Sequence, residues 1–124
     1  MSQTRSRLLH GFLETCLLAL LDAREDYGLS LTARLADAGI DGVPGGTLYP
    51  ALLRLERAGH VEVAWRPSDS GPPRKYYALT PAGREELVTR RAEWEAFASA
   101  LDRVIGTGRD AGGRGTAERD GTRR

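Results

Sequence analysis

The stretch Pro44-Gly45-Gly46-Thr47-Leu48-Tyr49-Pro50-Ala51-Leu52-Leu53-Arg54-Leu55-Glu56-Arg57-Ala58-Gly59-His60-Val61 decides the fold, because its hydrophobic period changes where it ends. Leu48, Leu52, Leu55 and Ala58 fall on one side of a helix, and Gly59 is a natural stop for it. Pro50 fits a helix that begins near Gly46, since amides in a first turn have no helical partner to lose. Thr47 and Tyr49 then project from the opposite side, near the helix start. Beyond Gly59, Val61, Val63 and Trp65 alternate with Glu62, Ala64 and Arg66, the pattern of a half-buried strand.

Working outward, Leu31, Leu35 and Ala38 form the inner face of a helix over about 28–38, stopped by Gly39, with the glycine-rich 42–46 segment as a loop. Before it, Leu8, Leu9, Phe12, Leu13, Cys16, Leu17, Leu20 and Leu21 recur at three- and four-residue spacing, so a first helix runs from about Leu8 to Ala23. Asp26-Tyr27-Gly28 breaks it. Downstream, Pro67 to Pro73 is dense turn chemistry, read as a long loop with a protruding tip. A second strand is expected from Lys75 to Thr80, with Tyr77 and Leu79 on one face and Tyr76 and Ala78 on the other. Thr80-Pro81 is a cap followed by proline at the first helical position, opening a last helix that reaches about Ile105. From Gly106 on, apolar residues almost vanish, and residues 106–124 are expected to be a disordered tail.

The expected fold class is therefore mainly α with a small β-hairpin: a winged helix-turn-helix over 1–80 and a long C-terminal dimerisation helix over 81–105. A chain of 124 residues with 40% apolar residues supports one modest core. The formal net charge is +1, so a nucleic-acid function must rest on a local basic patch. Cys16 is the only cysteine, which excludes an internal disulfide. The N-terminus does not read as a signal peptide, and the longest apolar run, Cys16 to Leu21, is too short to span a membrane, so a cytoplasmic location is expected. His10, Cys16 and His60 are not spaced as metal ligands, no segment resembles a hydrolase site, and no glycine-rich phosphate loop follows a strand. No catalytic residue, metal or cofactor is expected.

The stretch quoted above and Pro72-Pro73-Arg74-Lys75-Tyr76-Tyr77-Ala78-Leu79-Thr80-Pro81-Ala82-Gly83, in this order and spacing, resemble the PadR-like family of winged-helix transcriptional regulators. Tyr27-Gly28 fits as well, and the resemblance extends over about 8–105. It implies a regulator that binds double-stranded DNA as a homodimer, with Arg74 and Lys75 gripping phosphate or the minor groove. The residues point the same way. The N-terminal end of a recognition helix carries partial positive charge and enters the major groove, and Gly45 and Gly46 let backbone amides come close to a phosphate. Gly46, Thr47, Tyr49, Arg54, Arg74 and Lys75 are the expected DNA contacts. Two remain open on the residues alone: Tyr49 suits either the groove or the core, and Arg54 either the DNA backbone or a surface ion pair.

Leu87, Arg91, Trp94, Ala98, Leu101 and Ile105 alternate four and three apart, a heptad-like seam that Phe97 and Val104 widen. One small domain cannot cover both this seam and the apolar face of the first helix, so two copies are expected to pair. The resemblance implies an aromatic pocket around a central tryptophan at that interface, where a small flat effector binds. Trp94 and Phe97, with Leu87 and Leu101, are the residues expected there, as effector site or as dimer anchors. Two other functions fit the same fold: a winged-helix module for protein–protein contact without DNA binding, and a metal- or thiol-responsive regulator using Cys16 and a histidine.

Overall fold

The computed structural model of the chain describes residues 12–106. Within them α1 (Leu13–Ala23) is followed by β1 (Asp26–Tyr27), α2 (Gly28–Asp37), α3 (Gly45–Arg57), β2 (Val61–Ser68), β3 (Gly71–Leu79) and α4 (Pro81–Ile105). The expected turn of helix before Phe12 and the expected tail from residue 107 lie outside the described residues. The chain divides into two compact units, Met1–Val88 and Thr89–Arg124.

Leucines at helical spacing build the core of the first unit. Leu17 and Leu18 of α1, Leu31 of α2, and Leu48, Leu52 and Leu55 of α3 are fully buried, and Val61 and Tyr77 close the core from the sheet. Each such side chain contributes about 1.5–3 kcal/mol of hydrophobic stabilisation. The helix stops follow the glycines. Gly39 and Gly59 adopt φ of 100° and 80°, and after each the next amide reaches five residues back, Ile40 to Leu35 at 2.8 Å and His60 to Leu55 at 2.9 Å. That arrangement satisfies the last helical carbonyls and needs the left-handed backbone that glycine tolerates. Thr80 caps α4 as expected: its Oγ1 accepts the Gly83 amide at 3.0 Å and donates to the Gly59 carbonyl at 2.7 Å.

The sheet differs from the sequence expectation in two ways. Asp26-Tyr27 is more than a helix break. It forms β1, an edge strand on β3, so the order is β1-β3-β2 with Asp26 opposite Tyr77 and Tyr27 opposite Tyr76. A two-residue strand has no period to read. The hairpin also has no long loop, because β2 and β3 continue to Ser68 and Gly71, leaving only Asp69 and Ser70 at the turn. The prolines fit because the register shifts between Arg66 and Ser68, and β1 reaches only Tyr76 and Tyr77. Pro72 and Pro73 thus lie beyond β1, where a missing N–H breaks no ladder to it. The Ser68 hydroxyl closes the turn by donating to the Pro72 carbonyl at 2.9 Å.

Pro50 needs a correction as well. With Pro44 at the cap position, α3 starts at Gly45, and Pro50 lies past the first turn. The Gly46 carbonyl therefore lacks its helical amide partner, a loss that is softened because Gly46 is exposed to water.

Buried Asp26 ties β1 to the helices. Its carboxylate accepts bonds from the Tyr27 amide at 2.9 Å, the Ser30 hydroxyl at 2.7 Å and Arg34 Nη1 at 2.9 Å. Arg34 Nη2 also donates to the Leu20 carbonyl at 2.9 Å, which joins α2 to α1.

Candidate nucleic-acid interface

The start of α3 is electrostatically open. Pro44 has no side-chain oxygen to cap it, no side-chain cap bond is made, and its first turn holds no acidic residue. Gly45, Gly46 and Thr47 are exposed there, at the positive end of the helix dipole. A Cβ placed on Gly46 would meet nothing within 4 Å, so an anion has room to approach the backbone.

Tyr49 divides its ring between the two roles considered for it. It is 45% exposed, yet a Cβ on Gly28 would overlap its ring and one on Gly45 would stand 3.5 Å from it. Gly28 thus admits the ring against the start of α2, and the remainder faces solvent. Arg54 forms the surface ion pair, its Nε 2.6 Å from Glu14 Oε2 on α1.

Arg74 and Lys75 are neighbours in sequence but lie on opposite faces of the hairpin, as successive strand residues must. Lys75 shares its face with Trp65, its partner across the strands, and with Tyr77. Its Nζ lies 3.6 Å from Glu56 Oε1 of α3 and 5.6 Å above the Tyr77 ring. Burial pushes the Tyr77 phenol up, and the Glu56 charge adds to the effect. Arg74 lies on the other face, its guanidinium 4.4 Å above the Tyr27 ring. Arg66, directly opposite Arg74, is 5.5 Å above Tyr76 and pairs with Glu25 at 2.8 Å. The expected Arg74–Lys75 pair is therefore two separate contacts, each already held by partners in this chain.

Tyr27, Tyr76 and Glu56, which hold these cations, are not among the site residues expected from the sequence. The alternation that puts Tyr76 and Tyr77 on opposite faces, if extended back to Arg74, puts Arg74 on the Tyr76 face and Lys75 on the Tyr77 face, and that is the available signal. The partners on β1 and α3 had no such signal, because they come from tertiary contacts.

In the second unit, Trp94, Phe97, Leu101, Val104 and Ile105 of α4 are all exposed apolar side chains. Leu87 is not among them: it is buried in the core of the first unit. Heptad spacing alone does not distinguish the turn of α4 that packs on its own domain from the turns that follow. Cys16 is partly buried, and burial pushes its thiol up, away from the reactive thiolate. Among the described residues no cluster of three or more His, Cys, Asp or Glu could hold a metal ion, and no helix is long and apolar enough to cross a membrane.

The model of the transcriptional regulator PadR-like family matches residues 17–89. The chain belongs to this family. Its members are transcriptional regulators and not enzymes, and the family's function is DNA-binding regulation. The chain is 39% identical over 92 residues to Transcriptional regulator Rv3488 of Mycobacterium tuberculosis, covering 74% of this chain and 81% of that one. A PadR family transcriptional regulator from Eggerthella lenta is similar in structure, with a TM-score of 0.72 and 34% identity over 82% of this chain and 88% of that chain. A PadR-like transcriptional regulator from Bacillus cereus gives a TM-score of 0.71 and 32% identity, over 80% of this chain and 96% of that one. Among the described residues, four helices with a three-stranded antiparallel sheet, the last helix following the sheet, match the winged-helix fold of these PadR structures.

Proposed function

We propose that this PadR-like regulator is a homodimeric repressor of a palindromic operator, with the start of α3 in the major groove and the β2–β3 wing on the backbone. The observation that carries the reading is the uncapped, acid-free start of α3 with exposed Gly46 and Thr47. Lys75, joined to the same helix through Glu56, supplies a cation at its flank. Base edges meet Thr47 and the exposed side of Tyr49, whereas Lys75 and Arg74 contact phosphate. Repression is the outcome that occupying an operator produces by itself.

The dimer rests on the apolar face of α4. Phe97, Leu101, Val104 and Ile105 are too large an exposed apolar set for a solitary helix, and a second copy supplies the matching surface. Two-fold pairing presents two α3 starts to two half-sites. Trp94 and Phe97 at that interface give a small flat aromatic effector a stacking surface.

Sedimentation of the chain with a duplex taken from upstream of its own gene tests both halves of this reading. The native chain is expected to sediment as a dimer and to load two protomers per duplex. Phe97→Asp, which puts a charge into the interface, should give monomers that bind the duplex far more weakly. A native chain that stays monomeric removes the basis for palindromic recognition, and a dimer that ignores DNA favours a protein-contact module.

A further inference from the structure

Arg66 and Arg74 stand directly opposite each other across β2 and β3. Like charges in that position destabilise a sheet. Here each guanidinium lies over a tyrosine: Arg74 at 4.4 Å from the Tyr27 ring centre and Arg66 at 5.5 Å from that of Tyr76. The rings are themselves fixed. Tyr27 and Tyr76 are register partners across β1 and β3, with centroids 5.2 Å apart and planes tilted by 55°.

We propose that Arg66 and Arg74, held by the Tyr27–Tyr76 pair, form a second phosphate-binding unit on the face of the wing turned away from Lys75. Its ligand is a backbone phosphate of duplex DNA, so the inference rests on the DNA-binding reading above. A guanidinium held over a ring by cation–π attraction gives up no N–H donor to an acceptor, so its donors remain for phosphate. Among the described residues Arg66 pairs with Glu25, whereas Arg74 makes no ion pair. Two guanidiniums less one carboxylate leave one positive charge, the complement of a single phosphodiester. Tyr27 is in this account a positioning residue, lying outside the hairpin but fixing the Arg74 edge.

The test is a titration of a labelled duplex from upstream of the gene, across a salt series, with the full chain. Arg74→Ala should flatten the log–log salt dependence by about 1 per protomer. Tyr27→Leu should weaken binding by about two- to fivefold per protomer, the scale of an exposed cation–π contact. Tyr27→Phe keeps the ring and should bind like native protein. The decisive variant combines Tyr27→Leu with Arg74→Ala, and it should bind no more weakly than Arg74→Ala alone. If the two losses multiply, Tyr27 acts on folding and not on Arg74, and the proposal fails. Tyr76→Leu, which leaves β1 intact, repeats the test on Arg66 should Tyr27→Leu fail to fold. Native affinity in both Arg74→Ala and Arg66→Ala overturns the proposal while leaving α3 and Lys75 as DNA contacts. A native chain that binds no duplex overturns both.

Discussion

Replacing Arg34 by methionine removes one charge from a buried pair and keeps most of the side-chain volume. Asp26 is 4% exposed and Arg34 bonds both its carboxylate and the Leu20 carbonyl. The variant leaves that carboxylate buried with the Ser30 and Tyr27 bonds and the exposed Arg24, whose Nη2 is 3.9 Å away, so the loss should lie at the lower end of the about 3–5 kcal/mol that breaking a buried pair from one side costs. Against a total stability of roughly 5–15 kcal/mol this is severe, and at about 4–8 °C per kcal/mol the melting temperature should fall by more than about 10 °C. The pH dependence gives a second check. Burial alone would push the Asp26 carboxyl up, but the Ser30 hydroxyl, Arg34 and the Tyr27 amide outweigh it and hold the carboxyl below its usual range. A carboxyl lowered by folding stabilises the native state above its unfolded value of about 4, and the gain disappears as pH falls through the folded value. The gap between native and variant should therefore be widest near neutral pH and close in acid. Circular-dichroism melts at matched protein concentration measure it. A variant that melts within a few degrees of native near neutral pH, or a gap unchanged in acid, would refute the reasoning.

Gly83→Ala should destabilise the fold by about 1–3 kcal/mol, because its Cβ would overlap the His60 carbonyl, which is backbone and has little freedom to move. Gly46→Ala meets open space and should melt within about 1 kcal/mol of native, the helix propensity of alanine offsetting nothing in contact. Glu56→Gln releases Lys75 from its ion pair, so affinity for duplex DNA should rise by about two- to fivefold at low salt and the gain should fade as salt is added.

The helices were legible because Leu31, Leu35, Leu48, Leu52 and Leu55 repeat at the helical period and face one core. Gly39, Gly59 and Thr80 marked their ends through backbone chemistry that is local in sequence. The hairpin turn was overestimated because Pro67, Pro72 and Pro73 read as loop, whereas a register shift and the short reach of β1 accommodate them. Among the candidate site residues, Gly46 and Thr47 stand out in the sequence because they lie at a helix start. Glu14, Glu56 and Tyr27 escaped notice since they meet Arg54, Lys75 and Arg74 only after distant segments pack. The expected strand starts at Lys75 and leaves Arg74 outside it, whereas β3 runs from Gly71 and its alternation puts the two residues on opposite faces.

The central claim, that the start of α3 reads bases while both faces of the wing hold the backbone, is tested most directly by one salt series. Affinities of native protein and of the double variant Arg74→Ala, Lys75→Ala are measured for operator and for random duplex. The double variant should lose affinity equally on both, with the salt slope lowered by about 2 per protomer. Unchanged affinity of the double variant at low salt would contradict the account.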